Sequence, residues 1–129
     1  MTKMVSSWFA KAGKDLRLAK AALDFSDDFF EAVAFHGQQC AEKSIKGFLT
    51  FHKKSFKKTH DIKELVKVVK SIDAEITKSL QAAKSLTKYA VAYRYPDAVK
   101  LEEVTKAKAT EVIKIAEKVF KDLSGRMGL

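Results

Sequence analysis

The sequence is poor in proline, glycine and cysteine, and each shortage excludes a class of structure. One proline and five glycines in 129 residues leave few breaks, which favours long helices. The single cysteine, Cys40, cannot form an internal disulfide, and this suits a reducing compartment. No apolar run approaches the roughly 20 residues of a membrane span, and no stretch of signal-peptide type follows Lys3. We therefore expect a cytoplasmic protein.

The common catalytic and cofactor-binding motifs are also missing. The three histidines, His36, His52 and His60, are scattered, and one cysteine offers no zinc-type spacing. There is no glycine-rich phosphate loop and no nucleophile elbow. Cys40 follows His36 by one helical turn, but nothing completes a triad, so we do not expect an activated thiol. We expect no metal and no cofactor.

What the chain does have is a sizeable apolar fraction and a large positive charge. A length of 129 residues with 47% hydrophobic residues suits one domain with a buried core, taken as residues 1–129. The net charge of +9 favours an anionic partner, such as nucleic acid, a nucleotide or an acidic protein surface. The alternative is a solvated lysine-rich surface, because only three of the basic residues are arginines.

The spacing of the apolar residues predicts an all-helical chain. Helices are expected at about residues 6–25, 29–52, 61–72, 74–93 and 102–123. Capping signals predict where they begin and end. The expected start signals are Ser6 or Ser7, Asp27 or Asp28, Asp61 with Glu64, and Asp73, and the expected stop is Ser124-Gly125.

The second predicted helix carries more polar chemistry than a core helix needs. At 100° per residue its apolar and polar residues fall on opposite sides. The apolar stripe contains Ala34, Ala41, Ile45, Phe48 and His52. The opposite side, which we call the polar ridge, contains His36, Gln39, Lys43, Lys46 and Thr50. This ridge is either a solvent-facing helix side, a set of polar groups satisfied inside a bundle, or part of a binding site.

Two further stretches each allow a structural and a binding interpretation. Residues 53–58, which we call the basic loop, hold four lysines, no acid and one aromatic residue, Phe56. They form either a contact surface for phosphates and bases, or a solvated connection with Phe56 tucked into the core. Tyr93 and Tyr95 flank Arg94 just before Pro96. Either the tyrosines plug the bundle end while Arg94 pairs with an acid, or Arg94 faces a pocket and engages phosphate.

Three groups of residues, taken together and in their order along the chain, form a recognisable pattern. The groups are Phe35-His36 with Gln38-Gln39, Glu42-Lys43 and Lys46; then Thr59-His60-Asp61-Ile62 with Leu65; and then Arg94-Tyr95-Pro96-Asp97. Together they resemble the HEPN family, the higher-eukaryote and prokaryote nucleotide-binding domains, over nearly the whole chain. The resemblance implies an all-α, antiparallel up-and-down bundle of four to five helices that is often a homodimer. It also implies a small nucleotidyltransferase as a separate partner chain, in pairs that resemble toxin–antitoxin systems.

Several branches of that family are metal-independent ribonucleases, and this sequence departs from their motif. They use an arginine followed, after four to six intervening residues, by a histidine. No histidine lies at residues 22–24 after Arg17 or at 99–101 after Arg94, and none follows His60 anywhere. The resemblance therefore implies a non-enzymatic, binding-type branch.

The favoured hypothesis is a non-catalytic nucleotide-binding module. Gln39 would contact a base or ribose, phosphates would meet Lys43, Lys46 and Arg94, and Tyr95 could stack. His60 and Asp61 would orient the ridge or cap their own helix. The predicted nucleotide- and phosphate-binding residues are therefore His36, Gln39, Lys43, Lys46, His60, Asp61, Arg94 and Tyr95. The alternatives are a metal-independent ribonuclease or RNA-binding protein using His36 or His60 with Arg94 or a lysine, and a purely structural homodimer.

Overall fold

The computed structural model describes residues 2–95 and 103–129, and these fold into helices joined by turns and loops. The helices are α1 Lys3–Phe25, α2 Phe30–Phe51, α3 Ile62–Lys70, α4 Thr77–Leu80, α5 Thr87–Arg94 and α6 Lys106–Arg126. Short 3₁₀ segments precede α2 at Asp27–Phe29 and join α4 to α5 at Ala82–Leu86. Taking 77–94 as one helical run, the described part of the chain is a five-helix bundle, so the all-α prediction is confirmed.

Helix α2 lies at the centre of the bundle. It packs most extensively against α1 and α6 and also contacts α3 and α5. Fourteen of its residues between Val33 and Leu49 are buried, so its polar side is not an ordinary solvent-facing surface. His52 was assigned to the apolar stripe, but it is exposed because it lies beyond the last turn of α2. None of the helices within residues 2–95 and 103–129 is long and apolar enough to cross a bilayer.

Two glycines let the neighbouring helices approach the backbone of α2 closely. A Cβ atom on Gly37 would lie 2.5 Å from Val112 Cγ1 of α6. A Cβ atom on Gly47 would lie 2.6 Å from Phe9 Cε2 of α1. Both distances are far below van der Waals contact, so only glycine fits at these crossings. The polar residues of α2 are therefore held at a fixed depth between its neighbours.

The helix starts differ from the predicted ones in which side chain supplies the cap. Thr2 Oγ1, and not Ser6 or Ser7, accepts a backbone N–H at the start of α1, so this helix begins earlier than expected. Ser26 Oγ accepts the first free N–H before α2, a role that was predicted for one of the two aspartates that follow it. Both hydroxyl side chains satisfy donors that a helix start leaves unpaired.

The second half of the chain departs from the predicted boundaries in two places. The helix expected over 74–93 is interrupted by the 3₁₀ segment Ala82–Leu86. In a 3₁₀ turn residues three apart stack on one side, and Ala83 and Leu86 both face the core. Helix α6 begins at Lys106 with Thr105 as its cap, and it continues beyond the expected stop to Arg126. Asp73 Oδ1 accepts from Ile76 N, but residues 74–76 form a turn and α4 begins only at Thr77 without a side-chain cap, so the helix start expected near Ala74 is wrong.

Candidate functional site

Asp15 of α1 organises the first half of the polar ridge. Its Oδ1 accepts a hydrogen bond from His36 Nδ1 at 2.9 Å, and its Oδ2 accepts one from Lys43 Nζ at 2.7 Å. The residue is only 8% exposed, because it lies on the inner side of α1 beside Ala12 and Ala19. We call Asp15, His36 and Lys43 the Asp15 cluster. It fixes two of the predicted site residues against α1.

Glu42 organises the second half of the ridge. Its carboxylate accepts hydrogen bonds from Gln38 Nε2 at 3.1 Å, His60 Nδ1 at 2.9 Å and Lys46 Nζ at 3.1 Å. Gln39 Nε2 donates to Gln38 Oε1 at 2.6 Å and so extends the network by one residue. Glu42 is 2% exposed. These five residues form the Glu42 cluster, which brings Gln39, Lys46 and His60 together as predicted.

In both clusters, some hydrogen-bonding atoms of the histidines and lysines are not used by the carboxylates. An ionised carboxylate only accepts, so Nδ1 of His36 and of His60 must each carry the proton. The Nε2 atom of each ring has no partner among the residues described, and it accepts when the ring is neutral and donates when it is charged. Each lysine has three N–H donors, of which its carboxylate takes one.

The net charge of the clusters is small and depends on the histidines. Each cluster contains one carboxylate and one ammonium group, and these cancel. A proton taken up by His36 or His60 therefore adds a full positive charge to its cluster. An anion at the ridge would be held mainly by directed N–H donors and less by excess lysine charge.

Asp61 lies next to the Glu42 cluster but serves its own helix. Its Oδ1 accepts the backbone N–H of Lys63 at 3.1 Å, which confirms the predicted cap of α3. The return bond of the expected capping box is made by Thr59, whose Oγ1 accepts from Asp61 N at 3.0 Å. Glu64, which was expected in that position, pairs with Lys67 instead. Asp61 thus holds the end of the segment that carries His60.

Arg94 is linked to the ridge through the ring of Phe35, whereas no ring contact links Tyr95 to it within the described residues. The Arg94 guanidinium carbon lies 5.0 Å from the centroid of Phe35, and Nη1 donates weakly to a carbonyl of its own helix. Phe35 also stacks on Tyr93 at 4.4 Å and meets the His36 ring edge-on at 5.1 Å. Tyr95 is 63% exposed and makes no ring contact within the described ranges. Pro96 and Asp97 lie outside those ranges.

The predicted binding residues did not include the two residues on which the ridge depends, Asp15 and Glu42. Asp15 interrupts the buried stripe of α1, and an acid at such a position needs a buried partner. Glu42 precedes Lys46 by four residues, the spacing of a helical ion pair. Either pattern is visible in the sequence, but neither identifies its distant partner.

Cys40 is not part of the site. Its side chain is fully buried, its thiol points to the Ala116 carbonyl, and the burial raises its pKa to about 12. His36 is held by Asp15, so no imidazole activates the thiol. Burial and the raised pKa agree with the expectation of an unreactive thiol. In the parts of the chain that the structure describes, no three His, Cys, Asp or Glu side chains gather as a metal site would require.

Comparisons with known proteins identify a family and a fold. The HEPN domain model matches residues 5–126. The crystal structure of TT1696 from Thermus thermophilus is similar to this chain with a TM-score of 0.77 and 24% identity, covering 96% of this chain and 98% of that one. The crystal structure of ST0689, described as an archaeal HEPN homologue, has a TM-score of 0.71 and 29% identity, covering 97% and 98%. No curated protein matches.

Proposed function

This chain belongs to the HEPN domain family, and on that basis we propose that it is a non-catalytic nucleotide-binding module whose site is the polar ridge of α2. One observation carries the proposal. Two buried carboxylates hold two histidines and two lysines along one side of the central helix, with ring nitrogens and N–H donors left unused. Such a preorganised set of donors suits the phosphates of a nucleotide.

Different ridge residues can bind the two ends of a nucleotide, its phosphates and its base or ribose. Lys43 and Lys46 can each donate further hydrogen bonds to phosphate oxygens, and His36 and His60 add donors when protonated. Gln39 retains its side-chain oxygen for a base or ribose, because only its nitrogen is used within the cluster. Arg94, which lies over Phe35 beside His36, supplies a second cation at the edge of the site.

We assign the chain to a binding-type branch of the family. The ribonuclease spacing of arginine and histidine is absent from the sequence, and the two ridge histidines have their Nδ1 atoms committed to carboxylates. A ribonuclease using His36 remains the enzymatic alternative, since its Nε2 is unpaired. Purified protein that leaves RNA intact without metal supports the binding role. Cleavage that His36→Ala abolishes would establish the enzyme instead.

Replacement of Lys43 by glutamine is expected to weaken nucleotide binding by about 10- to 100-fold, the range for losing one hydrogen bond to a charged group. Trp8 is the only tryptophan, and Lys46 Nζ lies 5.8 Å from the centre of its ring, so its fluorescence reports on the ridge. The measurement is a titration of Trp8 fluorescence with ATP, GTP and a short RNA at two salt concentrations.

Lys118→Gln is the matched control for that titration. Lys118 pairs with Asp122 on the exposed side of α6, so the variant changes the net charge equally but leaves the ridge intact. We expect its affinity to stay within about twofold of wild type, since exposed ion pairs contribute little. Equal losses in both variants, or no saturable response to any of the three ligands, would contradict the proposal.

We also propose that the protein forms a homodimer through an apolar groove between α1 and α2. The groove has a volume of about 420 Å³ and is lined by Leu18, Ala21, Ala22, Phe25, Phe29, Ala32, His36 and Tyr93. Phe25 is 78% exposed, an unusual state for a large apolar side chain. Asp27 and Asp28 lie at one end of the groove, and Lys14 lies one turn before Leu18 at the other. A two-fold related copy would set the acidic end against the basic end.

Phe25→Asp is expected to convert the dimer to a monomer, because a carboxylate cannot be buried in an apolar interface without a partner. Analytical ultracentrifugation measures the molecular mass of wild type and variant. Met4→Asp, which alters another exposed apolar residue elsewhere on α1, should leave the dimer intact. A wild-type protein that sediments as a monomer at high concentration would refute the groove as a dimer interface.

The nucleotidyltransferase partner is proposed on the family resemblance alone. A small nucleotidyltransferase encoded beside this chain would be its partner in a toxin–antitoxin-like pair. The two purified chains should then elute together from a gel-filtration column, and Lys43→Gln should weaken that complex if the ridge receives the nucleotide-bearing face. Separate elution of the two chains at micromolar concentrations would rule out this partner.

A further inference from the structure

We propose that a cleft between the α3–α4 turn and the last turns of α6 binds a short peptide with free ends, its ammonium group at Glu75 and its carboxylate at Lys118. The cleft has a volume of about 570 Å³, a size typical of small-molecule sites. It is lined by residues from 75–79 and 118–126, so it shares no residue with the polar ridge or the apolar groove. The inference is therefore independent of the proposed nucleotide site.

One side of α6 forms the floor of the cleft. Lys118, Asp122, Gly125 and Arg126 succeed one another at intervals of four, three and one residues, so they lie along the same side of the helix. Lys118 Nζ donates to Asp122 Oδ2 at 2.9 Å. An ammonium group has three N–H donors, so two remain for a ligand. This end of the cleft can therefore accommodate a carboxylate.

An ion pair at the other end of the cleft joins α6 to the α3–α4 turn. Nε and Nη2 of Arg126 donate to the two carboxylate oxygens of Asp73 at 2.7 and 3.1 Å. These bonds, followed by one from Ile76 N, hold the pKa of Asp73 below its ordinary value, so the pair is charged at neutral pH. The wall of the cleft is thus fixed to its floor, and the charge of Arg126 is already matched.

Glu75 and Ser79 form that wall and carry acceptors without partners. The Glu75 side chain is exposed, and its carboxylate has no ion pair or hydrogen bond among the residues that the structure describes. The same holds for the hydroxyl of Ser79, which is half-buried. Because Asp73 and Asp122 are each paired with a cation, Glu75 gives the cleft one excess negative charge. A ligand ammonium group can donate to Glu75 and Ser79.

No contact in the described structure requires the glycine in the floor. A Cβ atom on Gly125 would meet nothing within 4 Å, in contrast to Gly37 and Gly47. The left-handed conformation beyond the end of α6 belongs to Gly128, with φ of 78°, and not to Gly125. Glycine within a helix is less favourable than alanine. We therefore assign the open space above Gly125 to the peptide.

The charges and the length of the cleft favour a peptide over a simple ion. A simple anion such as phosphate would be repelled by Glu75, and a simple amine would leave the donors of Lys118 unused. Lys118 and Arg126 are eight residues apart, which corresponds to about 12 Å along the helix. A tripeptide at about 3.5 Å per residue spans most of this length, whereas a single amino acid does not.

The test is a titration of nitrogen-15-labelled protein with triglycine, followed by the backbone amide NMR signals. We expect saturable shifts at Ser79, Gly125 and Arg126. N-Acetyltriglycine lacks the ammonium group and triglycine amide lacks the carboxylate, so each should bind about tenfold more weakly, the cost of losing one charged hydrogen-bonding group. Free glycine should also bind more weakly. Inorganic phosphate that binds more tightly than triglycine, or no saturable shift with triglycine, would overturn the proposal.

Glu75→Gln is expected to weaken triglycine binding about tenfold and to leave N-acetyltriglycine binding unchanged, since that peptide has no ammonium group. The matched control is Glu111→Gln, which removes an exposed acid from the first half of α6, outside the cleft. Its affinity for triglycine should stay within about twofold of wild type. Equal losses in the two variants would show that diffuse charge, and not the cleft, attracts the peptide.

Gly125→Leu tests the floor of the cleft. We expect the variant to lose triglycine binding, because its side chain occupies the space assigned to the peptide. Its urea midpoint should equal or exceed that of wild type, since the new Cβ meets no atom and leucine is a better helix former than glycine. A folded Gly125→Leu protein that binds triglycine with wild-type affinity would contradict the assignment.

Discussion

Replacement of Glu42 by alanine is expected to lower the free energy of unfolding by about 3–5 kcal/mol, the cost of breaking a buried ion pair from one side. The carboxylate of Glu42 is nearly inaccessible and accepts from Gln38, Lys46 and His60. Its removal leaves the Lys46 ammonium, whose side chain is 10% exposed, without a counter-charge. Urea denaturation followed by circular dichroism measures the effect.

Glu64→Ala is the matched control for this prediction. Glu64 also pairs with a lysine on its own helix, Lys67, but both side chains are about half exposed or more. Its loss should cost less than about 1 kcal/mol, since solvent screens such pairs. Similar destabilisation by the two variants would mean that Glu42 is not an organising residue.

The double variant Glu42→Leu with Lys46→Met separates stability from binding. Well-packed apolar replacements of a buried ion pair are often neutral or stabilising, so most of the lost stability should return. Nucleotide binding should not return, because the Lys46 donors are gone. A double variant that is stable and still binds ATP with wild-type affinity would show that this cluster is only structural.

The thiol of Cys40 is expected to react about 1000-fold more slowly in the native protein than in the unfolded chain at pH 8. Burial raises its pKa from 9.0 to about 12, so the reactive thiolate falls from about a tenth of the molecules to about one in ten thousand. Absorbance after addition of a disulfide reagent, with and without denaturant, gives the two rates. Equal rates would show that the helix packing around Cys40 opens readily.

The same shift predicts a pH dependence of stability. Between pH 9 and 12 the unfolded chain releases the Cys40 proton while the folded chain keeps it, so stability falls as pH rises. The contribution is fully present below pH 9 and is lost by about 1.4 kcal/mol for each pH unit up to 12. Lysines titrate in the same range, so the informative quantity is the difference in slope between wild type and Cys40→Ala.

The helical fold could be predicted from the sequence because its signals are local. Apolar spacing located the major helices, and Asp61 caps α3 as the sequence indicated. The wrong cap before α2 was a choice between adjacent hydroxyl and carboxylate side chains, Ser26 and the two aspartates that follow it. Adjacent side chains of this kind satisfy the same free donors, so sequence alone ranks them poorly.

The architecture of the site could be predicted only in part, because it depends on contacts between distant residues. The helical wheel of α2 correctly placed His36, Gln39, Lys43 and Lys46 on one side. It could not show that Asp15, from another helix, lies between His36 and Lys43, 21 and 28 residues away in sequence. The wheel also gives no depth: Gln39 and Lys46 are buried, whereas His36, Lys43 and Thr50 are half-buried.

The most direct test of nucleotide binding at the ridge is the imidazole nitrogen NMR spectrum of the protein, recorded with and without ATP. His36 and His60 are held by the two carboxylates with Nε2 free, whereas His52 lies beyond the end of α2 and serves as an internal control. Nucleotide binding at the ridge predicts saturable shifts of the Nε2 signals of His36 and His60 with one dissociation constant, and little change at His52. Unchanged His36 and His60 signals at millimolar ATP would contradict nucleotide binding at the ridge.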